Sequence, residues 1–501
     1  GLLKKYCKYL PIPVIFGKKT TWKDGKEVDT EEDNQINETT PLWSRQPADL
    51  KDEDYLKFYH DLYPMGPDPL FWIHLNVDFP FQLTGILYFP KSENNEFRRD
   101  KIQLFCNQVF VTDQVEGVVP EFMMLLHGVI DSPDIPLNVS RSYLQSDQNV
   151  KKISGYITRK VADRLQEIFN EDRKKYEEKW DDLKIFIEYG MLSDEKFYDK
   201  AVNFCLVKNT EGFYYTLEEY RKLTEGNQTD KDGQLCYLYS NDKTAQYSYI
   251  EAAKAKGYDV LEMDGQLDTP FMNQQEQKQE KCHFSRIDAD TINKLIKKAD
   301  DKKVEFTEAE RRENDVLFSS QIPECKNAEG KAVEWNIEFQ AMDETDKPVM
   351  ISQNEWMRRM KEMSKMQPGM NYYGMMPDSY NLIVNTEHPV VKKVLLQAHA
   401  AVDADLLSVV NDIKDKEGQI KPLEDEKYKA KAGEFAQDKQ DILNSLQADV
   451  KALKEKETEA MKKYGATDNA LRQLIDLALL EGGMLKGEAL AAFIKRSQQL
   501  L

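Results

Sequence analysis

In the stretch Pro136-Leu137-Asn138-Val139-Ser140-Arg141-Ser142-Tyr143-Leu144-Gln145, one cation, Arg141, is flanked by short polar residues that can hydrogen-bond backbone or phosphate oxygens. A guanidinium is planar, stays charged at any working pH and presents several donors in a fork. The chemistry it offers is the grip of an anion, phosphate above all. The same residue types also suit a helix cap followed by a surface arginine, and composition leaves both readings open. Other constellations do not form. The six histidines show no HExxH, and there is no P-loop. The six cysteines, Cys7, Cys106, Cys205, Cys236, Cys282 and Cys325, are scattered without a CxxC. No metal site or disulfide frame is expected, and the thiols read as reduced groups of a cytosolic protein. A stand-alone enzyme would need converging acid, base or metal-binding residues, which scattered His and Cys do not supply.

The whole chain narrows the classes further. Its 501 residues predict several domains. With 69 Lys and Arg against 88 Asp and Glu, the net charge is −19, which argues against general nucleic-acid binding. The longest apolar runs fall far short of the ~20 residues of a membrane span. No signal-peptide pattern opens the chain. Beginning at Gly1 rather than Met, the sequence reads as a piece cut at a domain boundary.

The elements that must position Arg141 come next. Residues 1–150 read as an α/β layer. A short helical pattern (Leu3, Tyr6, Leu10) leads to an apolar strand, Ile12 to Phe16. Asn34 to Leu50 reads as polar loop. Asp52, Glu53 and Asp54 then open a helix bearing Tyr55, Phe58, Tyr59 and Leu62, since acids suit the positive end of a helix. Ile73, Leu75, Val77 and Phe79 alternate with polar residues, and Gly85 to Pro90 completes a hairpin. Ile102, Leu104 and Cys106 alternate likewise, and Val109 to Val111 is a further strand. Pro120 begins a helix that Gly128 is expected to stop. Residues 151–192 form a charged helical connector, with Ile153, Ile157, Val161, Leu165 and Phe169 as one apolar stripe.

Residues 193–280 read as a second, smaller α-β-α unit. Ser193 is expected to cap a helix holding Phe197 and Val202, and Thr216 with Glu219 has capping-box spacing. Cys236 to Tyr239 is a strand, and a helix ends at Gly257 before the strand Tyr258 to Leu261. Residues 281–501 form a C-terminal domain, entered through a polar, low-aromatic boundary over 276–332. Val333, Trp335, Ile337 and Phe339 mark a half-exposed strand. Trp356, Met357, Met360, Met363 and Met366 then line a helix; a Met-rich face repacks against many apolar partners, or is simply buried. Residues 403–464 form a charged helical insert. Leu443, Leu446, Val450 and Leu453 predict a helical hairpin or short coiled coil, with Pro422 as a break. Finally, Thr467 is expected to cap a helix with Leu471, Leu474, Ile475, Ala478 and Leu479, ended by Gly482-Gly483. A last helix carries Leu490, Phe493 and Ile494. Both apolar faces are wide, with Leu477, Leu480 and Leu500 added, so a hairpin alone leaves apolar surface that twofold pairing would cover.

The decapeptide around Arg141 resembles the catalytic-loop signature in the middle domain of the heat-shock protein 90 family, in its bacterial form. Further motifs follow in the family's order. Pro41-Leu42-Trp43-Ser44-Arg45 with Tyr55 to Tyr59 is similar to its early middle-domain signature, and Val109 to Asp113 and Gly128 to Ser132 to the next two. Thr216 to Tyr220, Gly257 to Val260, and Ser352-Gln353 with Trp356 and Met360 continue the series. Asn385-Thr386-Glu387-His388-Pro389 resembles an Asn-Pro-x-His-Pro strand end, departing at Thr386. Residues 274–342 match poorly, and the 403–464 insert is longer than the family pattern.

The resemblance implies an α+β multidomain fold: two α-β-α sandwich units joined by a helical segment, then an α/β C-terminal domain ending in a helical dimerisation hairpin. It implies an ATP-dependent chaperone whose amino-terminal ATP-binding domain is not contained in this sequence. ATP and magnesium are then expected for the longer protein, and this stretch alone is expected to be inactive. Arg141 would reach the γ-phosphate, with Asn138 and Gln145 positioning loop and phosphate. Client contacts are expected at Trp43, at Phe271, Met272 and Asn273, and along Trp356, Met357, Met360, Met363 and Met366. Dimerisation is expected through Leu471, Leu474, Ile475, Ala478, Leu490, Phe493 and Ile494. The implied partners are non-native proteins, a second copy and the ATP-binding domain, in the cytoplasm. A structural dimeric adaptor without chaperone activity is the alternative, told apart by its failure to suppress aggregation of unrelated proteins.

Overall fold

The computed structural model describes residues 6–23, 25–91, 102–113, 115, 118–135, 148–299, 302–323, 333–366, 376–429 and 436–500. By packing, the chain divides into two compact units, 1–225 with 261–280, and 226–260 with 281–501.

The first unit is built on a mixed sheet of five strands, ordered Phe71–Val77, Leu83–Phe89, His127–Asp131, Gln103–Cys106, Val109–Thr112. All neighbours are antiparallel except Gln103–Cys106 beside His127–Asp131. Period-two alternation gives each face its own cover. Ile86, Tyr88 and Val129 meet Tyr55, Phe58 and Tyr59 of the helix Asp52–Leu62. On the other face, Phe89 packs 5.0 Å from Phe186 of the helix Trp180–Ser193, and Phe186 meets Phe122. This is the α-β-α arrangement expected. The connector stripe is also as expected: Ile153, Ile157, Val161 and Leu165 are buried along Gln148–Glu171.

Several local expectations are corrected. Gly128 does not stop a helix. The preceding turn, Glu121–Leu125, is a 3-10 helix, and Gly128 lies inside a strand at φ +128°, where a Cβ would fall 2.0 Å from the Ile86 carbonyl oxygen. Only glycine fits that approach. Ser193 donates to the Tyr189 carbonyl, and Asp194 caps the next helix by accepting the Phe197 N–H at 2.8 Å. The apolar run Ile12 to Phe16 is not a core strand. Ile15–Lys23 and Lys26–Gln35 form a two-stranded antiparallel hairpin that leaves Ile15, Phe16 and Trp22 exposed. Thr216 and Glu219 do form the reciprocal cap, at 2.7 and 3.2 Å.

The second unit centres on a three-stranded sheet in which Asp378–Asn385 pairs with Val333–Gln340 in parallel and Val349–Gln353 antiparallel. One face, with Ile351, Leu382 and Val384, is covered by the helices Glu308–Ser319, Pro389–Asp405, Gln437–Thr467 and Asn469–Glu481. The opposite face, with Met350 and Ile383, packs on Leu238, Tyr249, Ile250 and Val260. That contact is why 226–260 groups with the C-terminal residues while 193–225 and 261–280 stay with the first unit. The polar stretch expected as a boundary contains a core helix: Thr307 and Glu310 cap Glu308–Ser319 reciprocally, and Leu317 and Phe318 are buried.

The insert is a helical hairpin, as its pattern suggests. Leu407–Lys429 and Gln437–Thr467 run antiparallel with Ile413, Ile420, Leu443 and Val450 between them. Lys416 pairs with Asp449 at 2.6 Å, and Lys454 with Glu417 at 2.5 Å. Pro422 does not break its helix. It sits on the exposed side, where the carbonyl left without a partner can bond water. Thr467 ends the long helix, and Asp468 caps the next, accepting from Ala470 and Leu471.

His399 joins two of the helices covering the sheet. Its Nδ1 lies 3.2 Å from Glu313 Oε2 and its Nε2 2.8 Å from Asn314 Oδ1, so both ring nitrogens face acceptors. The hydrogen bond to Glu313 raises the His399 pKa against burial, with Asp403 and Glu310 adding to it. A raised folded-state value stabilises fully below the unfolded value, about 6.5, and the contribution disappears as pH rises through the folded value. Loss of such a charged hydrogen bond is on the order of 1–2 kcal/mol. Urea unfolding across pH 6 to 9 should show the chain losing stability on this account, and His399→Gln should flatten the profile. An unchanged profile would show that His399 is neutral.

Candidate functional site

The loop with Asn138, Arg141 and Gln145 lies outside the described residues, but the frame that carries it does not. In sequence the loop is flanked by the strand His127–Asp131 and the helix Gln148–Glu171. Ser132 donates to the Gln82 carbonyl at 2.6 Å, and Asp134 accepts the Gln82 N–H at 2.6 Å. Ile135 and Val150 are buried on either side. The described residues on either side of the loop are thus packed.

Trp43 belongs to this frame. It is 1% exposed, packs against Tyr9 at 4.7 Å and Phe105 at 5.0 Å, and donates from Nε1 to Asp131 Oδ2 at 3.1 Å. The Gln108 N–H also donates to that oxygen, at 2.9 Å. Burial raises the Asp131 pKa, against these hydrogen bonds. Trp43, expected as a client contact, thus lies in the aromatic core.

Phe271 and Met272 are also buried, on the helix Asp268–Lys278, and Asn273 is half-buried. Their helix is anchored by a charge cluster that the sequence pattern does not reveal. Lys184 Nζ lies 2.7 Å from Asp268 Oδ1 and 4.0 Å from Glu188 Oε1. Burial drives the Glu188 pKa well up, against the opposing pull of the Lys184 ammonium. The cluster borders a cleft of about 190 Å³ that also includes Lys208 and Glu262.

The helix Glu355–Met366 has the opposite character. Trp356 is 55% exposed, and Met357, Met360 and Met363 are half-buried. The side chain of Met366 lies outside the described residues. Along the C-terminal helices Asn469–Glu481 and Gly487–Leu500, Leu471, Leu474, Ile475 and Ala478 are buried in the unit's own core, with Phe493 and the half-buried Leu490 packed against it. Leu477, Leu480 and Ile494 are exposed. The first four residues expected to pair two chains therefore have their cover within one chain.

Among the described residues, no group of three or more His, Cys, Asp or Glu is placed to hold a metal ion. Nor is any helix among them long and apolar enough to cross a membrane.

This mixed α/β architecture agrees with a family match: the model of the Hsp90 protein family covers residues 17–469. The chain belongs to that family of chaperones. Over its whole length it is 55% identical to the chaperone protein HtpG of Bacteroides thetaiotaomicron and 53% identical to that of Porphyromonas gingivalis, spanning 73% of each. A more distant HtpG, from Dechloromonas aromatica, is 31% identical across 54% of this chain.

Proposed function

We propose that this chain supplies the middle and C-terminal parts of an ATP-dependent chaperone that holds non-native proteins and works as a homodimer. The observation that carries the reading is the helix Glu355–Met366, on which Trp356 is exposed and Met357, Met360 and Met363 are half-buried. Unbranched, polarizable side chains at a half-exposed surface make many weak contacts with differing apolar partners. Of the expected client contacts, Trp356 on this helix is exposed, whereas Phe271 and Met272 are buried and would need local opening first.

Arg141 acts on phosphate. ATP supplies the transferable γ-phosphoryl group, and an ATP-binding domain beyond this sequence would hold adenine and magnesium. Arg141 stabilises charge on that phosphoryl group, while Asn138 and Gln145 position it. Dimerisation is assigned to the apolar residues that the monomer leaves uncovered, Leu477, Leu480 and Ile494, with Leu490 and Phe493 beside them.

Three outcomes follow from these assignments. The chain should suppress aggregation of unrelated unfolding proteins, and Trp356→Ser with Met360→Ser should remove most of that effect by light scattering; a fixed-partner adaptor would show no suppression at all. Alone the chain should be silent toward ATP. Joined to a family ATP-binding domain it should turn over, and Arg141→Ala should lower kcat by roughly a thousandfold; an unaltered rate would leave the loop as a helix cap. Sedimentation should show a dimer. Because burying one Ile contributes about 1.5–3 kcal/mol, Ile494→Asp should raise the dissociation constant on the order of tenfold to a hundredfold or more. No change in mass would place the contact elsewhere.

A further inference from the structure

The helix Glu355–Met366 is packed the opposite way from an ordinary amphipathic helix, which buries its apolar stripe and wets its charges. Here Arg358 and Arg359 are each 6% exposed, while Trp356 is the exposed member of the stripe it forms with Met360 and Met363 at helical spacing. Burying two guanidinium groups demands acceptors for many N–H donors and counter-charge for both cations. The unit provides most of them, with Arg358 Nε left without an acceptor. Glu355 Oε1 accepts from Arg358 Nη2 at 2.7 Å and from Arg359 Nε at 2.6 Å. The Tyr239 hydroxyl donates to the same Glu355 oxygen at 2.6 Å and accepts from Arg358. Arg358 Nη1 reaches Glu362 at 2.6 Å, and Arg359 Nη2 donates to the Phe284 carbonyl. The Tyr239 ring lies 5.6 Å and 5.9 Å from the two guanidinium carbons. Tyr239 and Phe284 come from the parallel pair Leu235–Ser240 and Cys282–Arg286, in which Tyr239 is registered against Arg286.

We propose that Tyr239 and Glu355 are positioning residues for client capture: they hold Arg358 and Arg359 beneath the helix and thereby keep the Trp356–Met360–Met363 stripe facing outward. This rests on the client-binding reading above. If either acceptor is lost, an arginine is left buried and short of partners. The helix then relaxes toward the ordinary packing, with guanidinium groups in water and the stripe turned in. Glu355 is central because both arginines converge on one of its oxygens. Tyr239 couples the helix to the strand pair, so the exposure of the stripe is set by residues more than a hundred positions away in sequence.

The test uses Tyr239→Phe and Glu355→Gln in the whole chain. Tyr239→Phe keeps the ring beneath the arginines and removes only the hydroxyl, so it carries the test alone if Glu355→Gln fails to fold. Acrylamide quenching assigned to Trp356, by difference from the same proteins carrying Trp356→Phe, should fall by about half if half the population turns the stripe in. Quenching of the other tryptophans and the unfolding midpoint should hold. Aggregation suppression should fall in step. Unchanged Trp356 quenching in Tyr239→Phe overturns the proposal. Quenching that falls while suppression persists upholds the positioning role and overturns the client reading instead.

Discussion

A charge withdrawn from water must meet a partner inside the protein, and much of this structure is arranged by that requirement. Asp131, at the end of the strand that leads to the arginine loop, has its Oδ2 held by Trp43 and by the Gln108 N–H. Lys184 fixes Asp268 at the start of the helix bearing Phe271 and Met272. Asp476, fully buried, takes Arg472 on its own helix and Arg496 on the next, and so ties the two C-terminal helices together. Such pairs add modest net stability, because desolvation offsets most of the attraction. What they do strongly is forbid alternatives, since any packing that separates the partners leaves a buried charge alone.

That distinction separates what the sequence made legible from what it did not. Apolar periodicity is a local signal, and it identified the connector stripe, the alternating strands of the first sheet and the insert hairpin, where Leu443, Leu446 and Val450 face Ile413 and Ile420. Capping was legible to within one residue. Ser193 and Thr467 each stand beside an aspartate that takes the role, Asp194 and Asp468, because a carboxylate accepts from helix N–H groups more strongly than a hydroxyl. The core helix capped by Thr307 and Glu310 had the same local signature as Thr216 and Glu219. It was missed because the surrounding residues are polar.

Which face of an element is buried is a longer-range question. Trp43 reads equally as an exposed aromatic or a core one until its partner is known, and that partner, Asp131, lies 88 positions on. The Met-rich helix posed the same ambiguity. Its apolar stripe argued for a binding surface or for burial, and the proposal that it faces outward rests on Arg358 and Arg359, whose partners Tyr239 and Phe284 are 119 and 75 positions away. Likewise, the C-terminal apolar face appeared wide enough to need a second chain along its whole width. The sheet residues that cover Leu471 and Ile475 come from Val349–Gln353 and Asp378–Asn385, a contact with no local trace.

These placements bear on how a chaperone could separate its tasks. A rigid element is needed to present a phosphate-binding arginine, since a displaced guanidinium loses its geometry with the phosphoryl oxygens. Both anchors of the arginine loop are of that kind: a central strand whose Gly128 admits no side chain, and a helix buried along a continuous stripe. A client surface needs the reverse, adaptable side chains on a backbone that does not itself collapse onto them. Methionine supplies the adaptability. In the proposed arrangement the ionic floor under Glu355–Met366 supplies the support, because turning the stripe inward would take Arg358 and Arg359 away from Glu355, Tyr239 and the Phe284 carbonyl.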